Sequence, residues 1–302
     1  MFQLKLVPAK TNVQFVAWRK PAKACSALLV LISVIMSYTP GLNFGIDFRG
    51  GILVEVQTKG PANLGDMRSR LGGLGLGEVS LQEFGAADTV LIRIEKQPGD
   101  ASAQQKAVEK VRAGLGDGLD YRRTEFVGPK VSGELIEAGA IAIALSVVLM
   151  LIYIWFRFEW HFGVGAVVAL VHDVALSVGM FAVTQMEFNL STIAALLTIV
   201  GYSINDTVVV YDRVRENLRK YKTMSLPSVL NMAINDTLSR TTMTSVTTLL
   251  ALVVLFTFGG AVIQGFVFAM IWGVIIGTYS SIFVAAPLLI VLGLGDRHRS
   301  GG

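Results

Sequence analysis

Charge and cysteine are what this chain is short of. Of its 302 residues 16% are charged and 53% hydrophobic, against about 25% charged in ordinary soluble chains. A single soluble core cannot hide so much apolar surface, and a mean hydropathy of +0.59 makes a bilayer the solvent for most of the length. Disordered, fibrous and disulfide-stapled proteins are excluded on the same ground. Cys25 is the one cysteine, so no internal disulfide exists. No Gly-Lys dipeptide occurs, which removes the phosphate-cradling loop G-x-x-x-x-G-K-S/T and ATP as the expected energy source. H-E-x-x-H is absent and the three histidines, His161, His172 and His298, are scattered, which argues against a zinc site. The nearest approach to a nucleophile elbow, Gly201-Tyr202-Ser203-Ile204-Asn205, lacks the closing glycine and a base partner. Neither an enzyme nor a bound metal or cofactor is expected.

What the chain has is long apolar runs. A hydrocarbon core of about 30 Å needs about 20 apolar residues per helix, and six runs qualify: Ala24 to roughly Pro40, then roughly 138–156, 162–182, 190–211, 244–261 and 263–292. The last contains Pro287 and is long for one crossing. The first follows Arg19, Lys20 and Lys23 but exits through Ser37-Tyr38-Thr39-Pro40 without a good cleavage site, so it reads as an uncleaved anchor. Of the 26 lysines and arginines, 12 lie in 41–133 together with 12 of the 22 acids, leaving that stretch neutral. The other 14 are Lys5, Lys10, Arg19, Lys20, Lys23, Arg157, Arg213, Arg215, Arg219, Lys220, Lys222, Arg240, Arg297 and Arg299. All fall on one side or at its boundary if the N-terminus is cytoplasmic, and the turn around Glu187 on the other side has none. By the positive-inside rule both termini are cytoplasmic and 41–133 is outside. The +4 net charge is therefore an orientation signal, not a nucleic-acid footprint. Trp155 and Trp160 flank Arg157 as an interfacial belt would.

Within 52–127 the periodicity becomes that of an α+β unit. Ile52, Val54 and Val56 alternate as a strand; Leu64, Met67 and Leu71 recur at helical spacing. Val79 and Leu81, then Val90, Ile92 and Ile94, mark two strands with Gly85-Ala86-Ala87-Asp88 as their turn. Ala107, Val108, Val111 and Leu115 make a second helical stripe, and Leu119 to Val127 a fourth strand. The order βαββαβ is the ferredoxin-like split arrangement. The division expected is a tail and first helix over 1–40, the outside domain over 41–133, and helices two to six over 134–302.

Two carboxylates interrupt the apolar spans: Asp173 beside His172 in the third, and Asp206 beside Asn205 in the fourth. An ionised side chain at depth costs at least about 2.5 to 3.5 kcal/mol, so such residues face a helix interface or a water pathway. Asp206 precedes Asp212 by six residues, about 9 Å of helix, which places it inside the hydrocarbon. A carboxyl that alternates between an apolar surrounding and a guanidinium is a proton carrier; the alternative is a hydrogen-bonded packing group, and the same two readings stand for His172-Asp173. Arg240 is the nearest unaccounted guanidinium, either a partner for Asp206 or an anchor that snorkels to the interface. It ends a segment, about 223–241, in which Leu226, Leu230, Ile234 and Leu238 recur every four residues after Ser225 and Pro227, read as a short amphipathic helix on the cytoplasmic surface. Gly273 and Gly277 form a G-x-x-x-G face for close helix packing.

Several of these motifs resemble the SecF family of the bacterial Sec protein-export machinery. They are Gly45-Ile46-Asp47-Phe48-Arg49-Gly50-Gly51, Gly128-Pro129, Glu134-Leu135, Arg157-Phe158-Glu159-Trp160 and His172-Asp173. With them come Gly201-Tyr202-Ser203-Ile204-Asn205-Asp206-Thr207, Asp212-Arg213-Val214-Arg215-Glu216-Asn217 and Ser239-Arg240-Thr241. The match runs in order from about residue 18 to 292. One departure is visible: where the family often reads G-P-x-V-G before Glu-Leu, Ser132 replaces that glycine and Gly133 follows.

The resemblance implies a polytopic α-helical membrane protein: six transmembrane helices, a periplasmic ferredoxin-like domain between the first two, and half of a resistance-nodulation-division-type transporter. It implies an inner-membrane subunit that pairs with SecD, works with the SecYEG translocon, YajC and translocating preproteins, and draws on the proton gradient rather than a bound cofactor. Asp206 matches the family's proton-relay aspartate and Arg240 its paired arginine; Asn205, His172 and Asp173 are further intramembrane candidates. Gly45, Asp47, Arg49, Gly50 and Gly51 form the outside motif. Two other readings compete, a small-molecule or ion antiporter half and a non-transporting scaffold. One six-span set with one small domain weighs against the first.

Overall fold

The structure, a computed structural model, describes residues 8, 11–116 and 118–294. Lys5, Lys10, Arg297 and Arg299, which entered the orientation argument, and His298 of the zinc argument lie outside the described residues. A 3-10 turn over Phe15–Trp18 leads into α1, Arg19–Tyr38, and a short helix α2 follows at Ile46–Arg49. The domain runs β1 Gly51–Gln57, α3 Leu64–Gly72, β2 Val79–Phe84, β3 Ala86–Ile94, α4 Ala101–Leu115 and β4 Asp120–Val127. Five long helices come next: α5 Pro129–Arg157, α6 Trp160–Thr184, α7 Leu190–Lys220, α8 Leu226–Phe258 and α9 Ala261–Ser280. A π-helical turn at Ser281–Ala285 and α10, Ala286–Val291, complete the last span.

The four strands pair antiparallel in the order β2-β3-β1-β4, the ferredoxin-like arrangement. Ile52, Val54, Val56, Val90, Ile92 and Ile94 face α3 and α4 and bury Met67, Leu71, Val108, Val111 and Leu115. Asn63 and Asp100 cap the two helices by accepting from the Asp66 and Ser102 amides. The opposite sheet face holds a smaller cluster of Leu53 and Leu91 against Ile46 of α2. The β2–β3 turn is tighter than its composition suggested. Gly85 alone joins the strands, and its φ of +76°, open to glycine, lets Ala86 pair across to Phe84.

All six expected spans are helices long and apolar enough to cross a bilayer. They outrun the apolar stretches that marked them. α7, at 31 residues, is about 46 Å long at 1.5 Å per residue, because a helix needs apolarity only where lipid surrounds it. Segment 223–241 corrects an expectation: it is no separate surface helix but the first part of α8. Its stripe of Leu226, Leu230 and Ile234 faces protein, in one core cluster with Phe162, Tyr211, Val214 and Leu289. A four-residue spacing cannot distinguish a helix face laid on lipid from one laid on other helices.

Glycines let helices of the bundle approach closely. A side chain at Gly273 would run into Ile199, and one at Gly277 would come 3.1 Å from Ser203, so the G-x-x-x-G face of α9 presses on α7. Gly179 of α6 has the same relation to Ser33 of α1.

Candidate functional site

Asp206 stands sixteen residues into α7, near its middle, and is 9% exposed. One carboxylate oxygen accepts from Thr241 Oγ1 of α8 at 2.6 Å; the other accepts from Ser281 Oγ of the π-helical turn. Asp173 of α6 is fully buried. Its Oδ2 accepts from Ser203 Oγ of α7 at 2.5 Å and Ser280 Oγ at 2.7 Å, while its Oδ1 lies 2.9 Å from Nδ1 of His172. Successive serines thus hold two aspartates that belong to different helices. The backbone supplies the reason. Pro287 has no N–H to give to the preceding turn, the helix widens into a π-turn ahead of it, and Tyr211 Oη donates to the Ala285 carbonyl at 3.0 Å.

Arg240 does not complete this site by contact. Adjacent residues on a helix point about 100° apart, so α8 offers Thr241 to Asp206 while Arg240 stays exposed. Among the described residues no carboxylate lies within 4.0 Å of the Arg240 guanidinium. Asn205 is exposed on the outer face of α7, in line with Thr198, and Arg240, Thr244 and Thr247 line the exposed face of α8.

The outside motif touches the helix that carries Asp206. Asp47 Oδ2 accepts from the amide of Leu190, the first residue of α7, at 3.0 Å, where the helix's unpaired N–H groups favour an anion. A side chain at Gly45 would strike the Glu187 carboxylate, and one at Gly51, where φ is +123°, would come 2.6 Å from the Ile94 carbonyl. Gly50, at φ +71°, completes the sharp entry into β1. Arg49 is exposed and forms no ion pair within 4.0 Å among the described residues. The departure at Ser132 has a contact of its own, donating to the Phe48 carbonyl at 2.6 Å and tying α2 to the start of α5.

Sequence reasoning passed over the rest of this joint. Arg93 of β3 donates to Glu187 at 2.6 Å and to Asn43 at 3.0 Å, and backbone bonds join Gly45 to Phe188 and Phe188 to Asn43. Gln185 occupies the left-handed region, φ 55°, held by its side-chain amide donating to the Gly41 and Ala182 carbonyls. At the far end of the bundle Arg157 grips Asp212 at 2.6 and 2.7 Å, and Arg213 bridges to Asp236 at 2.8 Å. Among the described residues no three His, Cys, Asp or Glu side chains gather as a metal would require.

A family model described as the protein export membrane protein SecD/SecF, C-terminal, matches residues 107–295, and the SecD/SecF GG motif matches 35–62. The protein translocase subunit SecF of Rhodobacter capsulatus is 48% identical over 99% of this chain and 94% of its own length. The SecF subunit of Rickettsia felis is 47% identical over 96% of this chain and 94% of its own. The chain belongs to the SecF family. Among solved structures, SecDF from Thermus thermophilus, described as a translocon-associated membrane protein, superposes with a TM-score of 0.86 at 34% identity. That match covers 96% of this chain and 40% of the SecDF chain. SecDF in a super-membrane-facing form gives 0.71 at 33% identity, over 99% of this chain and 41% of that one. The SecF-family chain thus spans about two fifths of the SecDF chains it matches, and it shares their multi-pass fold.

Proposed function

We propose that this SecF-family subunit pairs with SecD and uses the proton motive force to help draw preproteins out of the SecYEG channel on the periplasmic side, in an assembly that includes YajC. The observation that carries the reading is the setting of Asp206: a carboxyl buried mid-membrane, held by two hydroxyls and no direct cation, on a helix whose first turn is bound by the outside domain. Such a group takes and releases a proton while its neighbours reorient, and Arg240, next in sequence to the Thr241 that bonds Asp206, supplies a countercharge when it turns inward. One charge crossing 100 mV supplies about 2.3 kcal/mol, a bias of about fifty-fold in a two-state equilibrium. Movement of α7 reaches the domain through Asp47 and Leu190, about 24 Å up the helix from Asp206.

The proposed orientation has both termini cytoplasmic and 41–133 periplasmic, and the cations at the far end of the bundle support it by the positive-inside rule. Asn205 and Arg240 are exposed at membrane depth, where an uncovered amide or charge is costly, and SecD is the partner that covers them.

The test is export in inner-membrane vesicles depleted of SecF, restored with this chain or its Asp206→Asn form, SecD being present, before and after the proton gradient is collapsed. Wild type restores gradient-dependent completion of export; Asp206→Asn inserts normally and does not. Equal restoration by both would make the chain a scaffold with a structural aspartate. Restoration that survives loss of the proton gradient would point to another coupling ion.

A further inference from the structure

The function proposed above uses Asp206 and leaves His172 and Asp173 idle, yet theirs is the deeper and more heavily bonded site. His172 is 6% exposed; its Nδ1 faces Asp173, and its Nε2 is buried without a hydrogen-bond partner. His172 lines a groove of about 720 Å³ between α1, α6 and α10, walled by Val30, Val34, Val171 and Pro287 and lined toward one end by Arg19, Lys20 and Lys23, with Nε2 itself buried. A neutral imidazole that donates from Nδ1 to a carboxylate has an acceptor lone pair at Nε2, and a buried acceptor left unsatisfied calls for a role.

We infer that His172 and Asp173 form a second protonation site, entered from the α1–α6–α10 groove and coupled to Asp206 by the neighbouring hydroxyls of Ser280 and Ser281. The inference rests on the reading of Asp206 as the proton carrier. In the entry step a proton from the groove forms Nε2–H on His172, Nδ1–H breaks, and the proton released there forms O–H on Asp173 Oδ1. The imidazole ends neutral in its other tautomer and the carboxylate becomes a carboxylic acid. Its Oδ2, now a carbonyl oxygen, is a weaker acceptor for the two hydroxyls that served it. Ser280 has a second acceptor in reach, the Gly277 carbonyl at 3.2 Å, and Ser281 reaches the same carbonyl at 3.0 Å. The two hydroxyls thus share the Gly277 carbonyl, and Ser281 has the Thr278 carbonyl at 3.2 Å as a further acceptor when it leaves Asp206. The two carboxyls exchange donors through one turn of helix.

The other titratable or charged groups around the pair are few. Tyr279 of α9 stacks on His172 with ring centroids 6.0 Å apart and bonds to Ser26 Oγ and the Ala22 carbonyl. Arg19, Lys20 and Lys23 of α1 line the groove. On the Asp206 side are Arg240 of α8 and Tyr202 of α7, the latter bonded to Ser245. The π-helical turn and α10 contribute none.

The test is pH-titrated infrared difference spectroscopy of the full chain with SecD in liposomes, following the carboxylic C=O bands, with D173N and D206N assigning them. Two bands are expected. D173N removes one and moves the midpoint of the other by about one pH unit, tenfold in proton affinity, the coupling at which two sites titrate together. In H172A the Asp173 band rises at least tenfold more slowly after a pH jump. An Asp206 midpoint unchanged in D173N would overturn the coupling, and an unchanged rise in H172A would overturn the entry route. If D173N does not assemble, S280T and S280A decide: the threonine keeps the Asp206 midpoint and the alanine moves it, and equal titration overturns the proposal. Export by D206N separates the two levels. Lost gradient dependence there with an unmoved midpoint in D173N removes Asp173 and leaves Asp206 standing, whereas full export by D206N removes the reading on which both depend.

Discussion

The α+β domain and the helix bundle are built by opposite rules from one chain. In the domain large apolar side chains fill the space between sheet and helices: Ile52, Leu71 and Ile92 are fully buried and most polar groups look outward. In the bundle the buried set includes His172, Asp173, Ser177, Ser203, Asp206, Thr241, Ser280 and Ser281. Gly179, Gly273 and Gly277 leave no room for a side chain against the neighbouring helix. Water drives the first arrangement, because only it makes apolar burial favourable. Lipid is as apolar as leucine and offers no such drive, so close backbone approach and interhelical hydrogen bonds take over. The domain is consequently strong where it has most side chain, and the bundle where it has least.

That contrast predicts opposite failures. Leu71→Ala removes side-chain atoms from a filled site and costs the domain about 2 to 5 kcal/mol. Amide exchange in β1 and β3 of the full chain accelerates accordingly, with protection in α7 and α9 unchanged. Loss of protection in both parts would mean that they form one cooperative unit, and the contrast between them would fail. The next effect in size comes from adding atoms. Gly273→Val drives methyl groups into Ile199 and costs the bundle about 1 to 3 kcal/mol, read as a lower thermal inactivation temperature in detergent with domain exchange unmoved. A neutral result would show that α7 and α9 have room to part, which contradicts close approach as the bundle's source of stability.

The two regions also differed in how far their sequences disclosed them. Strand alternation in Ile52-Val54-Val56 and Val90-Ile92-Ile94 specifies which face is buried, and the whole βαββαβ order follows from it. The second buried face, Leu53 and Leu91 against Ile46, escaped the pattern because a four-residue helix after the first span covers it. In the bundle, hydropathy located every span but said nothing of which side chains meet. Asp206 and Asp173 stood out because charge in an apolar run is conspicuous. Their partners are hydroxyls, which occur everywhere in membrane helices. Ser203 and Thr241 lay inside motifs noted for other residues, and Ser280 and Ser281 lay in none. Only the π-helical turn ahead of Pro287 gives those two serines their meaning. Arg240 stays out of contact with Asp206 because neighbours in sequence leave a helix in different directions, and Thr241 takes the place beside the carboxylate.

The smallest effect is at the joint, where the two rules meet. Arg93 comes from the sheet and Glu187 from the turn between α6 and α7, and both side chains are largely buried, 15% and 19% exposed. Neither region's rule accounts for them. They add nothing to the domain's apolar core and lie outside the hydrocarbon. Their value is in position: they clamp the sheet beside the Leu190 amide that Asp47 caps. A double-mutant cycle with Arg93→Ala and Glu187→Ala should give a coupling of about 1 kcal/mol, measured through amide exchange of residues 43–50 and 185–190. Each single variant should cost more than the coupling, because it leaves one charge half-buried without its partner. If the joint transmits force from α7 to the domain, the double variant keeps both halves folded while gradient-dependent export falls. Undiminished export would show that Asp47 and the backbone bonds at Phe188 carry the connection without the ion pair.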